Sequence, residues 1–149
     1  MAKFEYTGLD GIENQIAEMD RNMIQGIVMA GADACVKEMQ AAIGTYHHVK
    51  TGAMQQAVAP GQYHEDVRSG WVEVYPQGTD SRGVDNAMKA FVINHGIGKR
   101  PMRARPRKKK QANRTGDKFI TKNKDRMQRG VFTAMQAESD KLVSQVNNS

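Results

Sequence analysis

Along residues 9 to 44 the apolar positions recur with a helical step. Leu9, Ile12, Ile16, Met19, Met23, Ile27 and Ala30 are separated by three or four, and Glu13, Gln15, Glu18, Asp20 and Arg21 mostly fill the other face. The spacing predicts one long helix, with Asp10 as its N-cap, Glu13 three residues on, and Gly44 as its stop. Gly26, Ala30 and Ala34 follow at spacings of four, a stripe of small residues where another element can approach closely. Gly26 and Gly31 each cost about 1 kcal/mol relative to alanine inside a helix, so each needs a packing reason or marks a kink.

The pattern then changes period. "TGAMQQAVAPG" predicts a short helical turn capped by Thr51 and ended by Pro60 and Gly61. Residues 62–68 and 70–76 alternate as strands. Tyr63, Glu65 and Val67 share one face of the first, and Trp71, Glu73 and Tyr75 oppose Val72 and Val74 in the second; Arg68-Ser69-Gly70 reads as the hairpin turn. Residues 77–83 form a loop. Residues 84–96 predict a helix capped by Asp85 or Asn86, with Met88, Phe91 and Val92 inward and Gly96 as its stop. Residues 97–116 carry two prolines and almost nothing apolar, and read as a long exposed loop. A second long helix is expected from about Thr121 to Val146, on the stripe Met127, Val131, Met135, Leu142 and Val146, with 147–149 as a frayed tail. The expected architecture is a single α+β domain over 1–149: two long helices packed on a small antiparallel β-sheet, with a long basic loop.

Length agrees with one domain, since 149 residues divided in two would leave very small cores. Aromatics are 6% of the chain, so methionine, of which there are ten, must supply much of the core volume. The longest apolar stretch, "IVMAGA" (27–32), is far short of the roughly 20 residues that span a bilayer, so no membrane association is expected. The opening "MAKFEYTGLDG" lacks the apolar core of a secretory signal, and one cysteine permits no internal disulfide. Cytosolic synthesis is the expectation.

Charge changes the picture most. The formal net charge is +6, but fourteen of the 22 basic residues lie between Lys99 and Arg129 beside only Asp117 and Asp125, while the other eight face fourteen acids. A strongly basic segment is thus attached to an acidic body, which bears on partners rather than on fold. The candidate contact residues are Lys99, Arg100, Arg103, Arg105, Arg107, Lys108, Lys109, Lys110 and Arg114. Phe119 is the only phenylalanine, tyrosine or tryptophan between Phe91 and Phe132, which disfavours base stacking and favours contact with backbone charge or with an acidic protein.

No catalytic constellation appears. His47 and His48 are adjacent and point apart in extended chain, and with His64 they lack a recognised ligand spacing, so exposed structural histidines are expected and no metal. Cys35, between Ala34 and Val36, reads as a buried inert thiol. "HGIGKR" has glycines but no following helix to turn its amides on a phosphate. Neither an enzyme nor a cofactor is implied.

The order of features resembles the tail-completion and head–tail joining proteins of long-tailed bacteriophages, the neck or minor tail components. In that family a basic residue, Thr-Gly and an apolar residue follow the first helix; here Lys50, Thr51, Gly52 and Met54 stand there. A segment like Tyr-Ala-x-x-Val-Glu-Phe-Gly-Thr comes next, occupied here by Lys89 to Gly96 with Asn94-His95 in place of Glu-Phe. A proline-containing loop and Pro-Phe lead into the last helix, roles filled by Pro101, Pro106 and Phe119. The resemblance covers nearly the whole chain and implies a structural virion protein, assembled in the host cytoplasm into a homo-oligomeric ring, a hexamer or dodecamer, at the head–tail junction. Its neighbours would be connector and tail proteins, and its basic loop would either face packaged DNA, without sequence preference, or dock on an acidic neighbouring ring. Gly26, Ala30 and Ala34 are then candidate subunit contacts. The competing expectation is a free-standing, sequence-nonspecific DNA-binding protein that uses the same basic loop.

Overall fold

A computed structural model of the chain describes residues 9–45, 52–66, 69–97 and 114–147. Helix α1 (Leu9–Thr45) has 37 residues, about 55 Å at 1.5 Å per residue. Asp10 falls inside it rather than before it. After helix α2 (Ala53–Gln56) come strands β1 (Val58–Asp66) and β2 (Ser69–Pro76), then helix α3 (Asn86–His95), the two-residue strands β3 (Gly96–Ile97) and β4 (Arg114–Thr115), and helix α4 (Phe119–Asn147). The class is α+β, with long helices packed against a two-stranded antiparallel sheet. No described helix is long and apolar enough to cross a membrane.

Helix α1 organises the molecule, carrying the β1–β2 hairpin on one side and antiparallel α4 on another. Valines 72 and 74 turn toward the interior while Trp71, Glu73 and Tyr75 are exposed, as the alternation predicts. The core gathers at one end, where Met39, Ala42 and Ile43 of α1 meet Met54, Val58, Ala90, Phe119 and Met127. Phe119 and Ile43 are the largest fully buried side chains.

Expectations are corrected in two further places, the hairpin and α3. Pro60 and Gly61 do not end a helical turn; they lie within β1, at an irregularity between Pro60 and Tyr63 that gives the strand one extra residue. Proline has no N–H for the ladder and is tolerated where the ladder is broken. The carbonyls there find another donor: the Gln77 side-chain amide reaches Ala59 O at 3.3 Å and Pro60 O at 2.9 Å. Ser69 and Gly70, expected in the hairpin turn, belong to β2, where Ser69 pairs with Asp66 and Gly70 with Glu65; Val67 and Arg68 lie outside the described residues.

The second correction concerns α3. Met88 and Phe91 do not face inward; each is 59% exposed, and the buried residues are Asn86, Ala90 and Asn94. Apolar side chains surround this helix on most sides, so periodicity alone does not choose a face. Polar bonding does. Asn86 donates through Nδ2 to Gln77 O at 2.9 Å, and Asn94 bonds to the start of α4. Ala90 between them lets α3 lie close to the core. Of the two cap candidates, Asp85 caps the helix, accepting from Met88 N at 2.8 Å.

Candidate interaction surface

The segment expected to be a long basic loop is bracketed by a small ladder. Gly96 pairs with Thr115 and Ile97 with Arg114, so the chain leaves and re-enters the fold at one place. Lys99, Arg100, Arg103, Arg105, Arg107, Lys108, Lys109 and Lys110 lie outside the described residues. Of the expected contact set, only the backbone of Arg114 is described, in β4.

The bracket is rooted in the core. Helix α3 ends where α4 begins, and each satisfies polar groups the other leaves open. The Asp117 amide donates to Ile93 O at 2.8 Å and the Lys118 amide to Asn94 O at 3.0 Å. The Asn94 side-chain oxygen accepts the Ile120 amide at 3.0 Å, a cap provided by a residue 26 positions earlier. Asn94 is 3% exposed. Gly116 lies against the backbone of Asn94, His95 and Gly96, where a β-carbon would collide with main-chain atoms. Phe119, 1% exposed, then drives the first turn of α4 into the core.

Cationic character continues past this root. Lys118, Lys122, Lys124 and Arg129 are exposed, and Arg126 forms an ion pair with Glu38 of α1, Nε to Oε2 at 2.7 Å. The first turn of α4 has no acid and its last turn no base, while Glu138 and Asp140 lie in the second half. That polarity runs against the helix dipole, which favours acids at the N-terminus and bases at the C-terminus by about 0.3–1 kcal/mol each.

Apolar side chains are exposed in separate places. Met88 and Phe91 form the outer face of α3, with Val84 exposed just before the helix and Phe91 stacked on His95 at 4.4 Å between ring centroids. Phe132 projects from α4, 62% exposed. His64 stacks on its cross-strand partner Trp71 at 4.2 Å. His47 and His48 lie outside the described residues, as do Lys50 and Thr51; Gly52 takes the N-cap position of α2 with φ 73°, and Met54 is buried.

The small-residue stripe is partly used within the chain. Gly26 faces Leu142 of α4, while Ala30 and Ala34 are half-buried. The closest approach falls at Gly31, where a β-carbon would lie 2.7 Å from Met135 Cγ. Cys35 is half-buried and floors an apolar groove of about 300 Å³ between β2 and α4; burial pushes its thiol pKa up, away from reactivity. Among the described residues no group of three or more His, Cys, Asp or Glu is placed to hold a metal ion.

The packing reason expected of Gly31 is Met135, but the sequence did not single out Asn94 or Gly116 as structural keystones. Asn94 appears in it only as a departure from a resembling motif, and a capping asparagine 26 residues from its helix has no local signature. Compared with models of known families, with curated proteins and with solved structures, the chain matches none.

Proposed function

We propose that this chain is a structural virion protein of a long-tailed bacteriophage, a subunit of an oligomeric ring at the head–tail junction, with its basic segment turned toward DNA or toward an acidic neighbouring ring. The observation that carries the proposal is the rooted bracket. Between Ile97 and Arg114 lie sixteen residues, eight of them basic and none acidic, and both ends are fastened to the core by the β3–β4 ladder, Asn94 and Phe119. A fold that invests its best-packed end in holding one charged segment presents that segment to something else.

The ring itself is supported by the apolar outer face of α3. Contiguous exposed apolar side chains mark contact surfaces. In a ring of identical subunits such a face meets a different face of the next copy. The resembling phage proteins imply the same kind of assembly and no catalytic activity.

Electron microscopy of particles from a phage lysate, with the subunit tagged after Ser149, tests the proposal. Label at the head–tail junction is the expected result. Label absent from particles, with the protein on DNA instead, would replace the ring by a free-standing, sequence-nonspecific DNA-binding protein.

A further inference from the structure

The exposed cations of α4 form a stripe. Lys122 and Arg129 are seven residues apart, two helical turns and about 10.5 Å along the axis, on the side of the helix away from Met127 and Val131, which face α1. Lys118 precedes them at the helix start. Asp125 lies on the same side and offsets one charge. Among the described residues no carboxylate pairs with Lys118, Lys124 or Arg129, and Arg126 is drawn aside to Glu38. Lys118 and Lys122, at the N-terminal end of α4, stand against the dipole, so this arrangement lowers the helix's own stability.

What surrounds these cations distinguishes the kinds of anionic partner. The centre of a protein–protein interface is depleted in charge and built around aromatic and apolar anchors. From Gly116 to Val131 no large hydrophobic side chain is exposed; the first on α4 is Phe132, beyond Arg129. Cations among Thr121, Asn123 and Gln128, without apolar anchors, match the opposite anatomy, that of a surface for the nucleic-acid backbone, which is polar, strongly positive and blind to sequence.

We infer that Lys118, Lys122 and Arg129 form a contact for the phosphate backbone of duplex DNA, adjoining the basic segment in sequence. The inference rests on reading that segment as a contact for a charged surface, and it adds the partner and three residues of the folded body. Contact through three cations without base readout lets DNA be held loosely and slide.

The test is binding of the full chain to fluorescent 30-base-pair duplexes of two unrelated sequences between 50 and 300 mM salt. The wild type is compared with K118Q/K122Q/R129Q and with K141Q, which lies beyond Phe132. Both duplexes are expected to bind equally. The slope of log K against log salt is expected to fall by about 3 in the triple variant, near 0.9 for each phosphate no longer neutralised, and to stay unchanged in K141Q. Equal melting temperatures would show that the triple variant is folded. An unchanged slope, or no duplex binding at 50 mM salt, overturns the inference; so does tighter binding to polyglutamate than to duplex, which would make the partner an acidic protein. The neck reading fails separately: label absent from the junction with the slope loss intact ends that reading alone, and label at the junction with an unchanged slope ends this inference alone.

Discussion

The side-chain oxygen of Asn94, at the end of α3, accepts the backbone amide of Ile120, in the first turn of α4, at 3.0 Å. Capping is normally local, from the residue just before the helix. Here that residue is Lys118, whose φ of 52° is left-handed and whose side chain has no acceptor. Asn94 performs the capping from another helix while its own carbonyl takes the Lys118 amide. The two helices therefore cannot separate without exposing unsatisfied groups at both ends, and the chain between them is held at its root.

Asn94→Ala is expected to destabilise the protein by about 1–3 kcal/mol, because the Ile120 amide loses its acceptor in a buried place. In a chain of this size that lowers the melting temperature by roughly 2–4 °C per kcal/mol. Asn94→Asp, which keeps an acceptor, should recover part of the loss. Thermal unfolding followed by circular dichroism decides the matter; an unchanged midpoint in Asn94→Ala would show that the cap is not stabilising.

Gly26 and Gly31 both sit on α1 against α4, yet they should respond oppositely to a methyl group. At Gly26 the added carbon meets Leu142 Cδ1 at 3.9 Å, an ordinary contact, so Gly26→Ala should gain up to about 1 kcal/mol of helix propensity. At Gly31 it would come within 2.7 Å of Met135 Cγ, and overpacking of about 1–3 kcal/mol outweighs the same gain. Denaturant midpoints of the two variants should therefore move in opposite directions. If Gly31→Ala is the more stable, Met135 yields and α4 does not rest there.

These contrasts also show what the sequence could tell. The long helices and the hairpin were legible because each has one buried face and a clean period: Val72 and Val74 alternate with Trp71 and Tyr75, and Met127 and Val131 step by four. The inward face of α3 was not, because Met88, Phe91 and Val92 are as apolar as a core stripe, and the choice fell to hydrogen bonds of Asn86 and Asn94 with partners elsewhere in the chain. The cations of α4 were visible as a tally of charge. Their place on one exposed stripe, before the first exposed ring, required the helix to be placed against α1. Gly116 gave no signal at all, since the atoms it avoids belong to residues twenty or more positions earlier.

Asp80 gives the protein a defined acid sensitivity. Its carboxylate pairs with Lys89 and accepts the amides of Val84 and Arg82, each at 2.9 Å, and this holds its pKa down to about 2 from an ordinary 3.8. A carboxyl group that ionises more readily in the folded state stabilises the fold above its unfolded pKa. That contribution fades as pH falls from about 4 toward 2. Wild type should therefore be more stable than Asp80→Asn at pH 6, with the gap closing below about pH 2.5. Stability curves of the two proteins across this range check the sign, and a gap that widens on acidification would contradict it.

The outer face of α3 supplies the last test, of assembly rather than folding. Met88 and Phe91 lie three residues apart on one face and are each 59% exposed, so replacing both with serine removes little that the isolated chain buries. Surface changes of this kind usually stay within about 0.5 kcal/mol, and the ring stack that this one removes is that of Phe91 on His95. A subunit interface on this face would be deprived of its apolar anchors, for which a cost of about 2 kcal/mol or more is usual at the centre of an interface. Met88→Ser/Phe91→Ser is therefore expected to melt with the wild type yet to fail in self-association by sedimentation velocity and in incorporation into particles. If the variant assembles normally, the ring is built on another surface. If it melts well below the wild type, α3 owes its stability to this face, and its exposure is not that of an interface waiting for a partner.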